Sequence, residues 1–134
     1  MAQQEDRIII GIDVCKDTLD LFEHESGRAY SIRNDATSIE TWLESQAGRL
    51  QLATEPTNHY HEAVAEAAYA RGHEVYWIDP YRLTHYGAGL GRAKTDPEDA
   101  YLLARFLARE SRRAAAVDAL NARPAAVLAA AFND

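Results

Sequence analysis

A chain of 134 residues, 47% hydrophobic and 26% charged, has the size and composition of one folded domain rather than of a disordered segment or two cores. The net charge of −7 speaks against indiscriminate polyanion binding, and no apolar run approaches the roughly 20 residues of a membrane span. The polar, acidic opening MAQQEDR does not read as a signal peptide, and the single cysteine, Cys15, excludes an internal disulfide and fits a reducing cytoplasm.

Arg7–Val14 (RIIIGIDV) is β-branched and nearly all apolar, the pattern of a central strand buried on both faces. Within it Asp13 is costly to bury unless paired or bound to a metal; the alternative is a strand-end aspartate in an Asx turn. Thr18–His24 alternates Leu19 and Leu21 with Asp20 and Phe22 and predicts a second strand, and Arg28–Ile32 a third after the turn Glu25-Ser26-Gly27. Asp35 or Thr37 can cap a helix running to about Gln46 and ended by Gly48, with Ile39, Trp42 and Leu43 inward.

Arg49–Thr54 predicts a fourth strand, followed by Glu55 and stopped by Pro56. Glu55 alone reads as an exposed strand-end acid. His59–Ala70 is an alanine-rich helix closed by Gly72, and His73–Ile78 a fifth strand. His59 and His61 point to different sides of a helix and make a poor zinc pair, so a surface or substrate-adjacent role is expected. Residues 81–94, with Gly87, Gly89 and Gly91, read as a mobile loop with one helical turn at Tyr81–His85; no strand feeds the glycines, so they form no dinucleotide fingerprint. A helix from Asp96 to about Ala119 follows, with Leu102, Leu103, Phe106 and Leu107 inward, and an alanine-rich tail lies beyond Pro124.

The order βββαβαβα is the ribonuclease-H-like layout, an α/β fold with a mixed five-stranded sheet and helices on both faces. Right-handed crossovers place the fourth strand parallel to the first and beside it, so Asp13 and Glu55 are expected to emerge together at one sheet edge. Like charges so placed need a cation or a shared proton. Asp96 and Asp99 fit a capping box around Pro97 at the first helical position, yet their spacing also sets both on one helix face. Four such acids make an oxygen-rich cage of the kind Mg²⁺ or Mn²⁺ prefers, and two ions about 3.5–4 Å apart could serve phosphodiester cleavage.

Charge is uneven along the chain. Residues 1–80 carry 6 Lys+Arg and 15 Asp+Glu, whereas residues 81–134 carry 8 and 6. Arg92, Lys94, Arg105 and Arg109 are the candidate phosphate contacts in the second part, with Arg105 and Arg109 equally readable as a solvated helix face. Tyr81, Tyr86 and Trp77 are candidates for base stacking, Trp77 reading better as core.

Three blocks, GIDVCKDTLDLF, ATEPTNHYHEAVAEAAYARGHEVYWIDP and GRAKTDPEDAYLLARF, resemble in order and spacing the N-terminal, RuvC-like domain of the DEDD transposases of the insertion-sequence 110 group, which includes the pilin-gene invertases. The family's four acids fall on Asp13, Glu55, Asp96 and Asp99. The resemblance implies Mg²⁺-dependent DNA strand cleavage in transposition or inversion, a structured non-coding RNA as guide, and dimers or tetramers. It implies a catalytic domain over residues 1–122 and a tail, 123–134, leading to a further domain with a serine nucleophile. Cys15 departs from the small hydroxyl residue expected at its position.

Two other readings compete. An actin-like ATPase half would need a phosphate-gripping glycine or threonine turn after Asp13, where Val14-Cys15-Lys16-Asp17 stands. A non-catalytic nucleic-acid-binding module, or a Holliday-junction-type nuclease, would keep the same fold.

Overall fold

A computed structural model describes residues 7–55, 59–78 and 96–119, with the side chains of the last helix described from 99 to 110. Five strands form one mixed sheet: β1 (Arg7–Val14), β2 (Thr18–Glu23), β3 (Ala29–Arg33), β4 (Arg49–Thr54) and β5 (Glu74–Trp77). Their spatial order is β3-β2-β1-β4-β5. The β1–β2 and β2–β3 pairs are antiparallel; β1–β4 and β4–β5 are parallel. Three helices complete the described fold, α1 (Ala36–Glu44), α2 (Glu62–Ala70) and α3 (Asp96–Ala119). The topology is the ribonuclease-H-like one expected from the order of elements.

Alternation along the strands sorts residues to two faces. Ile10 and Ile12 of β1, Leu19 and Leu21 of β2, Leu50 and Leu52 of β4 and Val75 of β5 form one core with Ile39, Trp42 and Leu43 of α1 and Val64, Ala65 and Ala68 of α2. Ala53, Tyr76 and Ile78 form a second core with Leu102, Leu103, Phe106 and Leu107 of α3. Hence α1 and α2 cover one face and α3 the other.

The first core carries large aliphatic side chains, several of them fully buried. Each contributes about 1.5–3 kcal/mol by leaving water. The second depends on close approach. A Cβ on Gly11 would overlap the Ala100 carbonyl oxygen and lie 2.6 Å from Ala104 N. Glycine in β1, opposed by two alanines, lets the backbone of α3 lie directly on the central strand.

Helix ends are set by identifiable groups. Asp35 caps α1, its carboxylate accepting from Ser38 N at 2.8 Å, and that bond holds its carboxyl below the usual range. The helix ends at Glu44, ahead of Gly48, because Ser45 Oγ and Gln46 Nε2 donate to the Trp42 carbonyl and satisfy it early. Gly72, at φ +86°, closes α2: Gly72 N donates to Tyr69 O and His73 N to Ala68 O, a Schellman pair.

The starts of α2 and β5 also differ from the sequence reading, for physical reasons. Residues 59–61 form a turn, with Glu62 N donating to His59 O, so α2 starts at Glu62 rather than His59. His73 stands outside β5 because its Nδ1 accepts from Leu50 N at 3.0 Å, a side chain taking the place of a ladder partner. No helix among the described residues is long and apolar enough to cross a membrane. The loop at 81–94, its helical turn, Tyr81, Tyr86 and the tail beyond Pro124 lie outside the described residues.

Candidate metal centre and its edge of the sheet

Asp13 is the penultimate residue of β1 and is half-buried. In the parallel β1–β4 ladder Ile12 pairs with Thr54, so the next step sets Asp13 beside Glu55, immediately after β4. Asp13 is two residues from Gly11 and Glu55 two from Ala53, which both face α3. The two acids therefore leave adjacent strands on the α3 face of the sheet.

The third acid comes from the covering helix. Ala100, whose carbonyl abuts Gly11, follows Asp99, which is 6% exposed. Tyr101 extends the contact by packing edge-on against Phe22 of β2, with ring centroids 5.1 Å apart. Asp96 is the first residue of α3, one helical turn before Asp99; its side chain lies outside the described set. One oxygen of Glu55 (Oε2) and one of Asp99 (Oδ1) are sealed from solvent. Ionised oxygens in such places are costly unless a hydrogen bond or a cation compensates them. The positive end of the α3 dipole faces the same edge and favours anionic groups there. Hard carboxylate oxygens from two strand ends and a helix start fit a divalent cation of the Mg²⁺ or Mn²⁺ type.

A neighbour of this set is invisible to a reading by helix and strand periodicity alone. Asp20 pairs directly with Asp13 across the β1–β2 ladder. Ligand atoms of Asp13, Cys15 and Asp20 lie within 4.8 Å of one another. The hairpin register carries the signal: a two-strand meander with a short turn brings Asp20 opposite Asp13. Ser31 Oγ on β3 donates to Asp20 Oδ1 at 2.5 Å, which orients that carboxylate from the far side.

The flanking residues are placed as follows. Of the surface or substrate-adjacent roles expected for the histidines, His61 does not take the first: it is 5% exposed, its ring packed edge-on on Trp77 at 4.6 Å between centroids. His59 is exposed and contacts Glu62 Oε2 at 3.2 Å, so the two histidines do diverge. Trp77 is half-buried against the α1/α2 core, as read. Arg105 and Arg109 lie on the exposed side of α3, and Arg105 donates to the Tyr101 hydroxyl at 3.0 Å. Arg92 and Lys94 lie outside the described residues.

At the opposite end of the α3 face a second carboxylate is buried. Glu74 accepts from Gln51 Nε2 at 2.8 Å and from the Tyr76 hydroxyl, with Arg7 and Arg49 each 3.8 Å from its other oxygen. Gln51 is four residues before Glu55 on β4, a strand distance of about 13 Å. This network is compensated within the protein and is separate from the Asp13 edge.

Over residues 10–128 the chain matches a family model described as a transposase, of the DEDD insertion-sequence 110 type. Pilin gene-inverting proteins of Moraxella lacunata and Moraxella bovis are each 32% identical to it over 111 residues, covering 76% of this chain and 34% of the relative. The chain thus spans about a third of the length of these curated relatives.

Proposed function

The chain belongs to the DEDD transposase family of the insertion-sequence 110 type, and from that premise we propose that it is the metal-dependent, DNA-cleaving part of a recombinase. The observation that carries this reading is the β1–β4 register. It sets Asp13 beside Glu55 on the face that Asp99 and the first turn of α3 overlie. Asp13, Glu55, Asp96 and Asp99 would hold Mg²⁺ or Mn²⁺, in a pair of ions. Such cations supply activation of a water or 3′-hydroxyl and charge stabilisation at the leaving oxygen of a phosphodiester.

The protein's own residues do the rest. The strand ends and the helix hold Asp13, Glu55 and Asp99 on one face of the sheet, and folding meets the cost of bringing like charges together. Burial of Glu55 Oε2 and Asp99 Oδ1 limits competition from bulk water. Arg92, Lys94, Arg105 and Arg109 supply contacts to DNA phosphates, and the acidic body keeps non-specific affinity low. Strand transfer, a guiding structured RNA, and assembly as a dimer or tetramer are proposed for this domain together with the rest of a full-length recombinase. The chain alone is expected to bind metal without carrying out strand exchange.

A metal that binds only the folded state raises the melting temperature. Millimolar Mn²⁺ or Mg²⁺ is expected to stabilise the wild type, and Asp13→Asn to remove most of that shift. Equal melting of the two proteins with and without Mn²⁺ would overturn the reading, leaving a non-catalytic nucleic-acid-binding module of the same fold.

A further inference from the structure

The two acids leave adjacent strands of the sheet, and the turns that come after them lie outside the β1–β4 ladder. Asn34, directly after β3, stands where both pass. Its side-chain amide Nδ2 donates to Cys15 O at 2.9 Å and to Tyr60 O at 3.0 Å. Its backbone N donates to Asp17 O at 2.9 Å. Cys15 follows Asp13 by two residues and opens the β1–β2 turn, which Cys15 N closes on Thr18 O at 2.9 Å. Tyr60 lies in the turn at residues 59–61 that precedes α2, five positions after Glu55 in the chain. One amide group therefore ties the turn after Asp13 to the turn before α2.

We propose that Asn34 is a positioning residue for the metal centre, setting the spacing between Asp13 and Glu55 through the two loop carbonyls. The inference rests on the metal-dependent reading above and names a residue outside the acid set. The chemistry requires an amide. Both bonds run to carbonyl oxygens, so the clamp needs two N–H donors on one planar group, which asparagine has and aspartate lacks. Neither bond is part of the β ladders or the helices, so removing them leaves the sheet and its two cores intact. What it loosens is the relative position of two loop ends, and cation affinity depends steeply on how carboxylates are oriented by their surroundings.

Two variants decide the matter, Asn34→Ala and the isosteric Asn34→Asp, with Mn²⁺ affinity measured by calorimetric titration well below the melting temperature of each. Both are expected to weaken Mn²⁺ binding about tenfold. The aspartate adds a negative charge that would by itself attract the cation, so weakening there reports the lost donors. If Asn34→Ala does not fold, Asn34→Asp decides alone. Binding within twofold of wild type in a folded variant overturns the proposal, and so does loss of the fold in both, which would make Asn34 a folding residue. Failure of the metal reading itself is distinct: wild type and Asp13→Asn would then be alike in showing no Mn²⁺ binding.

Discussion

The two faces of the sheet are made from alternate residues of the same strands, and they have opposite composition. Toward α1 and α2 stand Ile10, Ile12, Leu50 and Leu52, large and fully buried. Toward α3 stand Gly11, Ala53, Asp13, Glu55 and the Gln51–Glu74–Tyr76 group. The first face gains stability by burying area. The second gives up area for a close helix approach and for polar groups that must each find a partner. A strand with period two can serve both ends at once, because a residue chosen for one face leaves its neighbours free to serve the other.

The sharpest way to break this comparison is to enlarge the small face and to hollow the large one. Gly11→Ala and Leu52→Ala are each expected to cost about 3 kcal/mol, the first by overpacking against the α3 backbone, the second by leaving a cavity. Urea denaturation measures both. Only Gly11→Ala should also abolish stabilisation by Mn²⁺, since it pushes the helix bearing Asp99 away from β1. Equal retention of the Mn²⁺ effect in both variants would show that the close approach at Gly11 does not position the acids.

Within the α3 face, the two carboxylate groups can be told apart. Glu74→Ala leaves Gln51, Tyr76 and two arginines without their acceptor and is expected to cost about 2 kcal/mol. Because Glu74 sits at the far end of the strands, Mn²⁺ affinity should stay as in wild type. A parallel loss of metal binding would merge the two ends into one network.

Smaller effects are expected at the surface. Replacing Arg105 and Arg109 by alanine should reduce the salt dependence of branched-DNA binding by about one unit of slope per lost phosphate contact, with little change in stability. An unchanged slope would assign these arginines to a solvated helix face.

The smallest effect concerns His73. Burial first, then the charges of Arg71 and Arg49, hold its pKa below the ordinary value of 6.5, and its Nδ1 accepts from Leu50 N, which requires the neutral ring. The unfolded chain therefore binds the proton more readily than the folded one. The contribution is fully present above about pH 6.5 and is lost as pH falls through the folded-state pKa. His73→Asn, which keeps an acceptor but does not titrate, should flatten the fall in melting temperature between pH 7.5 and 5.5. A fall of the same steepness in the variant would assign it to other groups.

Much of the molecule is legible residue by residue. The isoleucine run of β1, the Leu19/Leu21 alternation, the Asp35 cap and the 102–103–106–107 stripe of α3 each encode a local preference with its burial direction, and each stands as read. The start of α2 and the end of α1 do not: the first turns on one backbone bond, Glu62 N to His59 O, and the second on two side-chain donors to the Trp42 carbonyl, at helix ends where periodicity is weakest.

Local pattern is enough to name strands, helices and the acids at their ends, since hydrophobic period and capping chemistry act over a few residues. What sits across from what is another matter. The burial of His61 on Trp77, the Asn34 amide spanning two turns and the seating of Ala100 on Gly11 all join positions far apart in the chain. Such contacts have no local signature, because nothing within either segment requires the other until packing has brought the two together.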